Sequence, residues 1–553
     1  MNLELKIVKN EEALELLENN IFISKWKELA SQQANVTVQQ EFPFVSTWYK
    51  QYFTKFSPIL ILGYDPKAQL VGLIPLAQSL DNSQISHAGH LQAEYCGWIC
   101  KESYCELFIT QAIVSIKNHF NLKRWTWGWV TPNSDISWFF SDTLKKANIY
   151  IKYREFDSPL LDVFDNVKIN ELKKNRSLKT KTNRYIKGGK FYIERITSKD
   201  KAIEIFDVLE KQSDFRQMAI NKVSPFGDDP NKGSYYINKL DFPNDCHFTV
   251  LWSNNRPIAY NFGECDSTTV YLGVTSYDPT ESKNSPGKIH LVMLAEFIKK
   301  EGFRYLDLTP GNDGYKEWFC NTRQKLYYLN IFFDKKNYLI SKLRDAIIKP
   351  LKNTAKKLNV EPKIIISNFK TVPSKIKETF KKPFKKEIYI YYRLNIKKIE
   401  KYNTNVKQNN YSDLLFCNKN DDKKQHILSQ ALRRFSLNDK LFSVIKNNKK
   451  VHYGWMTTKL KNQNIPQFDN QFEFPANSAI LYDFFVEDDN LLLIIQEMIN
   501  ECKIKNIDEV YIGAHHFNSS FIKIIYELGF KPYQKLTITS ILGNTKRSMS
   551  FIE

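Results

Sequence analysis

The string Asn284-Ser285-Pro286-Gly287-Lys288 stands directly before an apolar run, Ile289 to Lys300, that has the length and spacing of a helix. A Ser-Pro-Gly turn that leads into a helix leaves several backbone N–H groups without partners at the helix N-terminus. The helix dipole adds partial positive charge there, so the position suits a phosphate group. The alternative is an ordinary helix start, with Ser285 as the N-cap and Pro286 as the first helical residue. The local pattern leaves both interpretations open.

Two predicted strands frame this helix. Thr269 to Thr275 is the strand before it, and Tyr305 to Leu308 is the strand after it. Further upstream, His247 to Trp252 and Pro257 to Glu264 form two strands around a turn. The predicted order from residue 247 onward is therefore strand, strand, strand, helix, strand.

Four short motifs follow one another through this region: Tyr277-Asp278-Pro279, Ser285-Pro286-Gly287-Lys288, Asp307-Leu308-Thr309-Pro310-Gly311 and Tyr315-Lys316. Their order resembles the acetyltransferases related to cellulose biosynthesis, a branch of the GNAT acyltransferase superfamily that is related to the Fem-type peptidyltransferases. The resemblance continues upstream, in Phe42 to Trp48, Gly72 to Leu76 and Gln92 to Gly97.

The upstream region also contains a hairpin signal. Pro58 to Tyr64 and Leu70 to Leu76 are two apolar strands around the turn Asp65-Pro66-Lys67. Arg124 to Trp129 alternates as a strand, and its tryptophans are expected to pack in the core.

The resemblance implies an α/β fold with mixed sheets, built from tandem GNAT-like modules. It also implies that acyl-CoA binds at the start of the helix, as a co-substrate. The residues expected to bind this coenzyme are Ser285, Gly287, Lys288 and Gly311. The sequence departs from the superfamily pattern at this turn. The usual GNAT turn is Arg/Gln-x-x-Gly-x-Gly/Ala, whereas the present helix begins Asn-Ser-Pro-Gly-Lys.

Acyl transfer to an amine needs a neutral nucleophile, a route for its proton and stabilisation of the oxyanion. The leaving thiolate also needs a proton donor. The resemblance implies Tyr277 or Tyr315 as that donor, Asp307 as a base or orienting group, and Lys316 as a charge stabiliser. For Asp307 a structural alternative stays open, in which it ends the strand and fixes the turn that follows.

A dense basic run extends from Lys173 to Lys190, and in the family a similar run is a basic helix that opens the second module. It could attract the phosphates of an anionic substrate or coenzyme. Its candidate substrate-binding residues are Arg176, Lys179 and Arg184. The alternative is a solvated basic helix face.

The net charge is +20, from 80 basic and 60 acidic residues, which favours an anionic partner such as a nucleotide, a coenzyme, a membrane surface or RNA. No run of 18 apolar residues is present, so we expect no transmembrane helix. The first residues have no apolar core, so we expect no signal peptide. The eight cysteines lack paired metal-ligand spacing, so no metal site is predicted. The expected location is the cytoplasm, or the inner face of the membrane as a peripheral protein.

Four segments are predicted. Residues 1–165 form an N-terminal GNAT-like module without a coenzyme site, and residues 166–340 form the catalytic module. Residues 341–386 form a basic helical linker, and residues 387–553 form a C-terminal GNAT-like module. The stretch 342–386 has fourteen Lys or Arg against three acids, so contact with an anionic membrane is an alternative to a plain linker.

The C-terminal module is expected to be degenerate. Its coenzyme turn would lie at Glu487-Asp488-Asp489-Asn490, where carboxylates repel a pyrophosphate. His515 and His516 could act as a base or as ligands, or they could be ordinary core or surface histidines.

The sequence thus predicts an acyl-CoA-dependent N-acyltransferase whose acceptor is an amine, for example on an amino sugar or another envelope polysaccharide precursor. Two alternatives are open. One is a Fem-type transferase that uses aminoacyl-tRNA, and the other is a non-catalytic assembly protein associated with the membrane.

Overall fold

The computed structural model describes residues 2–33, 36–132, 134–311, 313–357, 384–397, 399–417, 421–446, 450–458, 474–486, 490–541 and 544–552. Their contacts form two compact units. The first contains Met1–Ser213, Pro225–Tyr277 and Ser285–Pro350, and the second contains Asp214–Ser224, Asp278–Asn284 and Leu351–Glu553. Helices and mixed sheets alternate along the chain, so the predicted α/β fold class is confirmed.

The first unit begins with an antiparallel sheet and the helices that cover it. Its elements are β1 (Glu4–Lys9), α1 (Asn10–Leu16), α2 (Asn20–Ser31), α3 (Phe42–Tyr52), β2 (Phe56–Tyr64), β3 (Leu70–Ser79), β4 (Ile85–His87), β5 (Ile99–Cys100), α4 (Cys105–His119), β6 (Arg124–Val130), α5 (Asp142–Lys146) and β7 (Tyr150–Asp162). The strand order is β1-β2-β3-β4, with β5 also on β3. The predicted hairpin of β2 and β3 is confirmed. Trp125 and Trp127 are buried in the core, as expected for packing residues.

The second half of this unit contains the predicted catalytic region. Its elements are α6 (Asn166–Lys174), α7 (Arg176–Lys187), β8 (Phe191–Arg195), α8 (Lys199–Asn221), α9 (Asn231–Lys239), β9 (Cys246–Ser253), β10 (Arg256–Glu264), β11 (Thr269–Tyr271), β12 (Val274–Tyr277), α10 (Pro286–Lys300), β13 (Tyr305–Asp307), α11 (Gly314–Phe319), β14 (Thr322–Phe332) and α12 (Lys335–Lys357). The parts of α8 and α12 that begin at Asp214 and Leu351 belong to the second unit. Apolar side chains of α10 pack on those of β11 and β13, which fixes the helix against the sheet.

Two sheets meet in this region. One has the order β12-β10-β9-β8, and the other has the order β11-β13-β7-β14-β6. Strand β7 lies between β13 and β14 and is antiparallel to both. Strands from both sides of the predicted boundary at residue 165 therefore share one sheet. The four-segment division of the chain stays a prediction.

The single strand predicted from Thr269 to Thr275 is wrong, because the structure has two short strands, β11 and β12. The break falls at Leu272 and Gly273, where the chain crosses β10 very closely. A Cβ atom on Gly273 would lie 2.2 Å from the carbonyl oxygen of Phe262. Only glycine allows this approach, so the strand changes its partner at that point.

The second unit is organised around an eight-stranded sheet. Its elements are β15 (Phe384–Asn395), β16 (Lys407–Gln408), α13 (Asp421–Leu437), β17 (Lys440–Lys446), β18 (Lys450–Thr457), β19 (Ser478–Phe485), α14 (Asn490–Ile504), β20 (Glu509–His515), α15 (Ser519–Glu527), β21 (Lys531–Ile541) and β22 (Asn544–Phe551). The strand order is β16-β17-β18-β19-β20-β15-β21-β22. Strand β15 lies between β20 and β21, antiparallel to both, as β7 does between β13 and β14.

Two predictions fall partly outside the described residues. Residues 487–489 of the acidic turn are outside them, and Asn490 is the first residue of α14. Residues 358–383 of the basic linker are also outside them, whereas the first part of the linker belongs to α12. No helix in the described ranges is both long enough and apolar enough to cross a membrane.

Candidate active site

Two strands that start as a parallel pair separate beside the start of α10. Strands β11 and β13 are paired up to Tyr271 and Asp307, and the Leu272 N–H donates to the Asp307 carbonyl over 2.9 Å. Strand β12 then pairs with β10, while the chain after β13 turns away through Thr309, which has a φ of 61°. Diverging strands offer backbone donors and acceptors to an extended ligand that enters between them.

The first turn of α10 lies at the mouth of this gap. Ser285 is in the left-handed conformation, with a φ of 55°. Pro286 is the first helical residue, as in the ordinary helix start that the sequence analysis gave as the alternative. The Ser285 hydroxyl makes no capping bond to the helix, however. The N–H groups of Lys288 and Ile289 both donate to the Ser285 carbonyl, over 3.1 and 3.2 Å. The helix dipole at this end favours an anion.

Two lysine side chains, those of Lys181 and Lys288, lie at the same helix end. The Lys181 ammonium donates to Ser285 Oγ over 2.8 Å. Partial burial lowers the pKa of Lys181, and the nearby charges of Lys288 and Arg184 lower it further. The Lys288 ammonium also lies 5.6 Å from the centre of the Trp318 ring. Like charges held close together repel each other, so this arrangement suits a bound anion that neutralises them.

Most of the basic run is helical, and the orientation of helix α7 about its axis determines which basic side chain faces the site. Leu178 and Tyr185 are the buried residues of α7. Lys181 lies three positions after Leu178 and four before Tyr185, so it is on the same face of the helix as these two buried residues. Arg176 and Lys179 are exposed. The sequence analysis named Arg184 and missed Lys181, although the spacing of Leu178 and Tyr185 carried the signal.

Tyr277 and Gly287 lie against each other at the end of β12. A Cβ atom on Gly287 would stand 3.1 Å from Cδ1 of the Tyr277 ring. The glycine therefore lets the aromatic ring rest directly on the first turn of α10. Tyr277 itself is half-buried.

Asp307 is buried at the point where β11 and β13 separate. Its Oδ2 accepts hydrogen bonds from Tyr95 over 2.8 Å and from Gln324 over 2.7 Å, and its Oδ1 accepts one from the Thr309 N–H over 2.7 Å. Burial raises the pKa of Asp307 to about 6, although these hydrogen bonds and the charge of Lys316 oppose the rise. The Thr309 contact is the turn-fixing bond that the structural alternative expects. A carboxyl with this pKa can also accept a proton near neutral pH.

Lys316 lies beneath the turn that follows β13. Its buried ammonium donates to the carbonyls of Thr309 and Pro310, over 3.2 and 3.1 Å. It is also 3.5 Å from Asp313 Oδ2. Gly311 is exposed above it, and a Cβ there would lie 3.1 Å from the ammonium. Lys316 therefore fixes the turn and places a positive charge under it.

Two further residues border this region. Tyr315 is half-buried and packs against the apolar cluster of α10 and β13. Glu94 is partly exposed, yet desolvation raises the pKa of its carboxyl to about 7; Lys316 opposes this rise, while Glu264 and Asp307 add to it. Neither Glu94 nor Tyr95 was singled out as a site residue from the sequence. Within the described ranges, no group of three or more His, Cys, Asp or Glu could hold a metal ion.

Comparison with protein-family models finds a match in this region. A family model described as an acetyltransferase (GNAT) domain matches residues 173–317. A search of curated proteins finds no match.

Similar solved structures include L-PGS from Bacillus licheniformis, which is 10% identical with a TM-score of 0.36, over 58% of this chain and 94% of that one. FemX is 11% identical with a TM-score of 0.38, over 58% of this chain and 98% of that one. A tandem GNAT protein from the clavulanic acid biosynthesis pathway is 9% identical with a TM-score of 0.35, over 59% of this chain and 98% of that one. The family match places the strand gap, the start of α10 and Asp307 inside one segment of the chain. Residues 173–317 are therefore similar to a GNAT acetyltransferase domain, and this match covers less than half of the chain.

Proposed function

We propose that this protein is an N-acyltransferase that moves an acyl group from acyl-CoA to an amine. The observation that carries the proposal is the pair of lysines at the N-terminal turn of α10, where the Lys181 ammonium donates to Ser285 Oγ, and where partial burial and the nearby charge of Lys288 lower the pKa of Lys181. Two ammonium groups and a helix dipole suit the phosphates of a coenzyme. The extended arm of the coenzyme would then lie in the gap between β12 and β13. Ser285, Gly287 and Gly311 border this path.

The residues around the gap suit the chemistry of acyl transfer. The amine would attack the thioester carbonyl, a C–N bond would form and the C–S bond would break. Asp307, with a pKa of about 6, would accept the amine proton. Tyr277 or Tyr315 would protonate the leaving thiolate, and Lys316 would stabilise negative charge from beneath the turn.

The nature of the acceptor rests on the order of the sequence motifs. Their resemblance to acetyltransferases related to cellulose biosynthesis supports an amino sugar or another envelope polysaccharide precursor as the amine. The reaction would then take place in the cytoplasm, where acyl-CoA is available. Arg176 and Lys179 would meet the anionic part of such a substrate at the exposed side of α7.

Calorimetric titration with acetyl-CoA tests the donor. We expect micromolar binding to the wild-type protein and at least tenfold weaker binding to Lys181→Ala, because one charged contact to a phosphate is lost. Lys187→Ala is the matched control, since Lys187 is an exposed lysine of the same helix. Its affinity should equal that of the wild type.

Two results would overturn the proposal. One is that acetyl-CoA does not bind to the wild-type protein. The other is that Lys181→Ala and Lys187→Ala lose the same amount of affinity for acetyl-CoA. In the first case, RNA binding with a steep dependence on salt would favour the aminoacyl-tRNA alternative.

A further inference from the structure

The sheet β11-β13-β7-β14 has a second face, on the side away from α10. Leu306 and Val270 point toward α10 and pack with Leu294 of that helix. Successive residues of a strand point to opposite faces, so Tyr271 and Asp307 point the other way. The second face carries polar side chains on β11, β13 and β14, and β7, between β13 and β14, contributes Leu160.

A cavity of about 380 Å³ lies on this second face. Its walls combine hydroxyls, carboxylates, an amide and a guanidinium, contributed by Thr37, Asp266, Thr269, Asp307, Thr322, Arg323 and Gln324. A cavity of this size accommodates a molecule as large as a monosaccharide. Because most of the lining groups donate or accept hydrogen bonds, the cavity suits a ligand with several hydroxyl groups.

The lining groups hold one another in place. Asp266 accepts hydrogen bonds from the Tyr271 hydroxyl over 2.6 Å and from the Thr269 N–H over 2.8 Å. Asp307 accepts bonds from Gln324 and Tyr95, as described above. The walls are therefore preorganised, which lowers the entropic cost of binding a polar ligand.

The cavity reaches the reaction centre of the proposed function. Tyr271 and Asp307 line the cavity and are also the last residues paired between β11 and β13. The strands separate directly after this pair. A nucleophile bound in the cavity therefore meets the gap at Asp307, while the coenzyme phosphates are on the opposite side of the sheet, at α10.

We infer that this cavity binds the acceptor, and that the acceptor is a small primary amine with several hydroxyl groups. The inference rests on the proposed function. The amine nitrogen forms a bond to the thioester carbonyl carbon, the C–S bond breaks, and the coenzyme leaves as a thiolate. The proton lost by the nitrogen passes to the Asp307 carboxylate. The hydroxyl groups of the acceptor bond to the threonine and amide side chains of the wall.

The test compares two amines with the same ring size. D-glucosamine and cyclohexylamine are each incubated with acetyl-CoA and the full-length protein, and the N-acetyl products are quantified by mass spectrometry. Serinol and ethanolamine extend the hydroxylated set. We expect kcat/KM for at least one hydroxylated amine to exceed that for cyclohexylamine at least tenfold.

Variants locate the acceptor. Thr322→Phe fills the cavity and should reduce acetylation of the hydroxylated amine at least tenfold, with acetyl-CoA affinity within twofold of the wild type. Lys325→Phe is the matched control, because Lys325 is an exposed residue of the same strand and does not line the cavity. Thr269→Val removes one hydroxyl with little change of shape and should raise KM for the acceptor. It serves as a second variant if Thr322→Phe does not fold.

Three outcomes would overturn the inference while the proposed function survives, because acetyl-CoA still binds. Cyclohexylamine could be acetylated as well as the hydroxylated amines, or none of the four amines could be acetylated. Finally, acetylation by folded Thr322→Phe and Thr269→Val could match that of the wild type. Loss of acetyl-CoA binding by the wild-type protein would instead mark failure of the proposed function.

Discussion

The Tyr95 hydroxyl donates a hydrogen bond to Asp307 Oδ2 over 2.8 Å, across a separation of 212 residues. Both side chains are almost completely buried. Tyr95 follows β4 in the chain, and Asp307 ends β13. This contact joins the loop after β4 to the point where β11 and β13 separate, so it connects the N-terminal strands to the candidate active site.

Replacement of Tyr95 by Phe should destabilise the protein. The buried carboxyl of Asp307 loses one of its three donors, and a hydrogen bond to a charged group contributes about 1.5–3 kcal/mol. We expect the free energy of unfolding to fall by about that amount, measured by urea denaturation. Tyr104→Phe is the control, because Tyr104 is only half-buried. Equal stability of Tyr95→Phe and the wild type would contradict the prediction.

The stability of the fold should depend on pH through Asp307. Its pKa is about 6 in the folded protein and 3.8 as the ordinary value, so the folded state holds the proton more tightly. The stabilisation from protonation is complete below pH 4 and is lost as pH rises from about 4 to about 6. Relative to Asp307→Asn, the wild type should lose roughly 3 kcal/mol over this interval, at about 1.4 kcal/mol per pKa unit.

Urea midpoints at a series of pH values measure this difference. Asp307→Ala should give the same pH dependence as Asp307→Asn, because neither variant has a carboxyl at this position. A difference between wild type and variant that stays constant from pH 4 to pH 7 would show that the Asp307 pKa is not raised.

Short-range patterns predicted much of the fold. The apolar spacing before Lys300 predicted α10, and the Asp65-Pro66-Lys67 turn predicted the β2–β3 hairpin. Local signals were sufficient there because the contacts that define these elements join residues close in the sequence. The break of the predicted strand at Gly273 could not be predicted in this way, since it depends on a close approach to Phe262 on β10.

The candidate site shows the same division between local and distant contacts. The bond from the Thr309 N–H to Asp307 spans two residues and follows from the local turn. The contacts of Tyr95 with Asp307 and of Lys181 with Ser285 span 212 and 104 residues. Pairing over such distances is set by tertiary packing, so a single sequence gives no direct sign of it.

The contact between Tyr277 and Gly287 predicts a coupling between two substitutions. Gly287→Ala places a methyl group 3.1 Å from the Tyr277 ring, so the ring must shift. Alanine favours a helix over glycine by about 0.8–1 kcal/mol, which opposes this cost. In a Tyr277→Ala background the steric cost is absent, and Gly287→Ala should stabilise the protein.

A double-mutant cycle by urea denaturation measures the coupling. We expect an interaction energy of about 0.5–3 kcal/mol, which is usual for residues in contact. Gly302→Ala is unsuitable as a control, because Gly302 has a positive φ of 94°. Gly314→Ala is suitable, since a Cβ there meets no atom within 4 Å. If Gly287→Ala has the same effect in both backgrounds, Tyr277 and Gly287 are not in contact.

Lys239 and Glu264 form a buried ion pair. Both residues are at most 4% exposed, and the Lys239 ammonium lies 5.3–5.8 Å from the centres of four aromatic rings, those of Phe44, Tyr235, Tyr236 and Phe262. Glu264→Gln leaves a buried ammonium without its counter-charge, which costs about 3–5 kcal/mol. The free energy of unfolding should fall by that amount.

Removal of both charges should lower the free energy of unfolding less than removal of one charge. In Lys239→Met combined with Glu264→Leu, apolar side chains of similar length fill the space between the aromatic rings, and no charge is left to desolvate. We expect this double variant to be more stable than Glu264→Gln alone, by urea denaturation at pH 7. If the double variant is the less stable of the two, the ion pair stabilises the fold beyond the cost of burying its charges, and the aromatic rings around Lys239 contribute to that stability as cation–π partners.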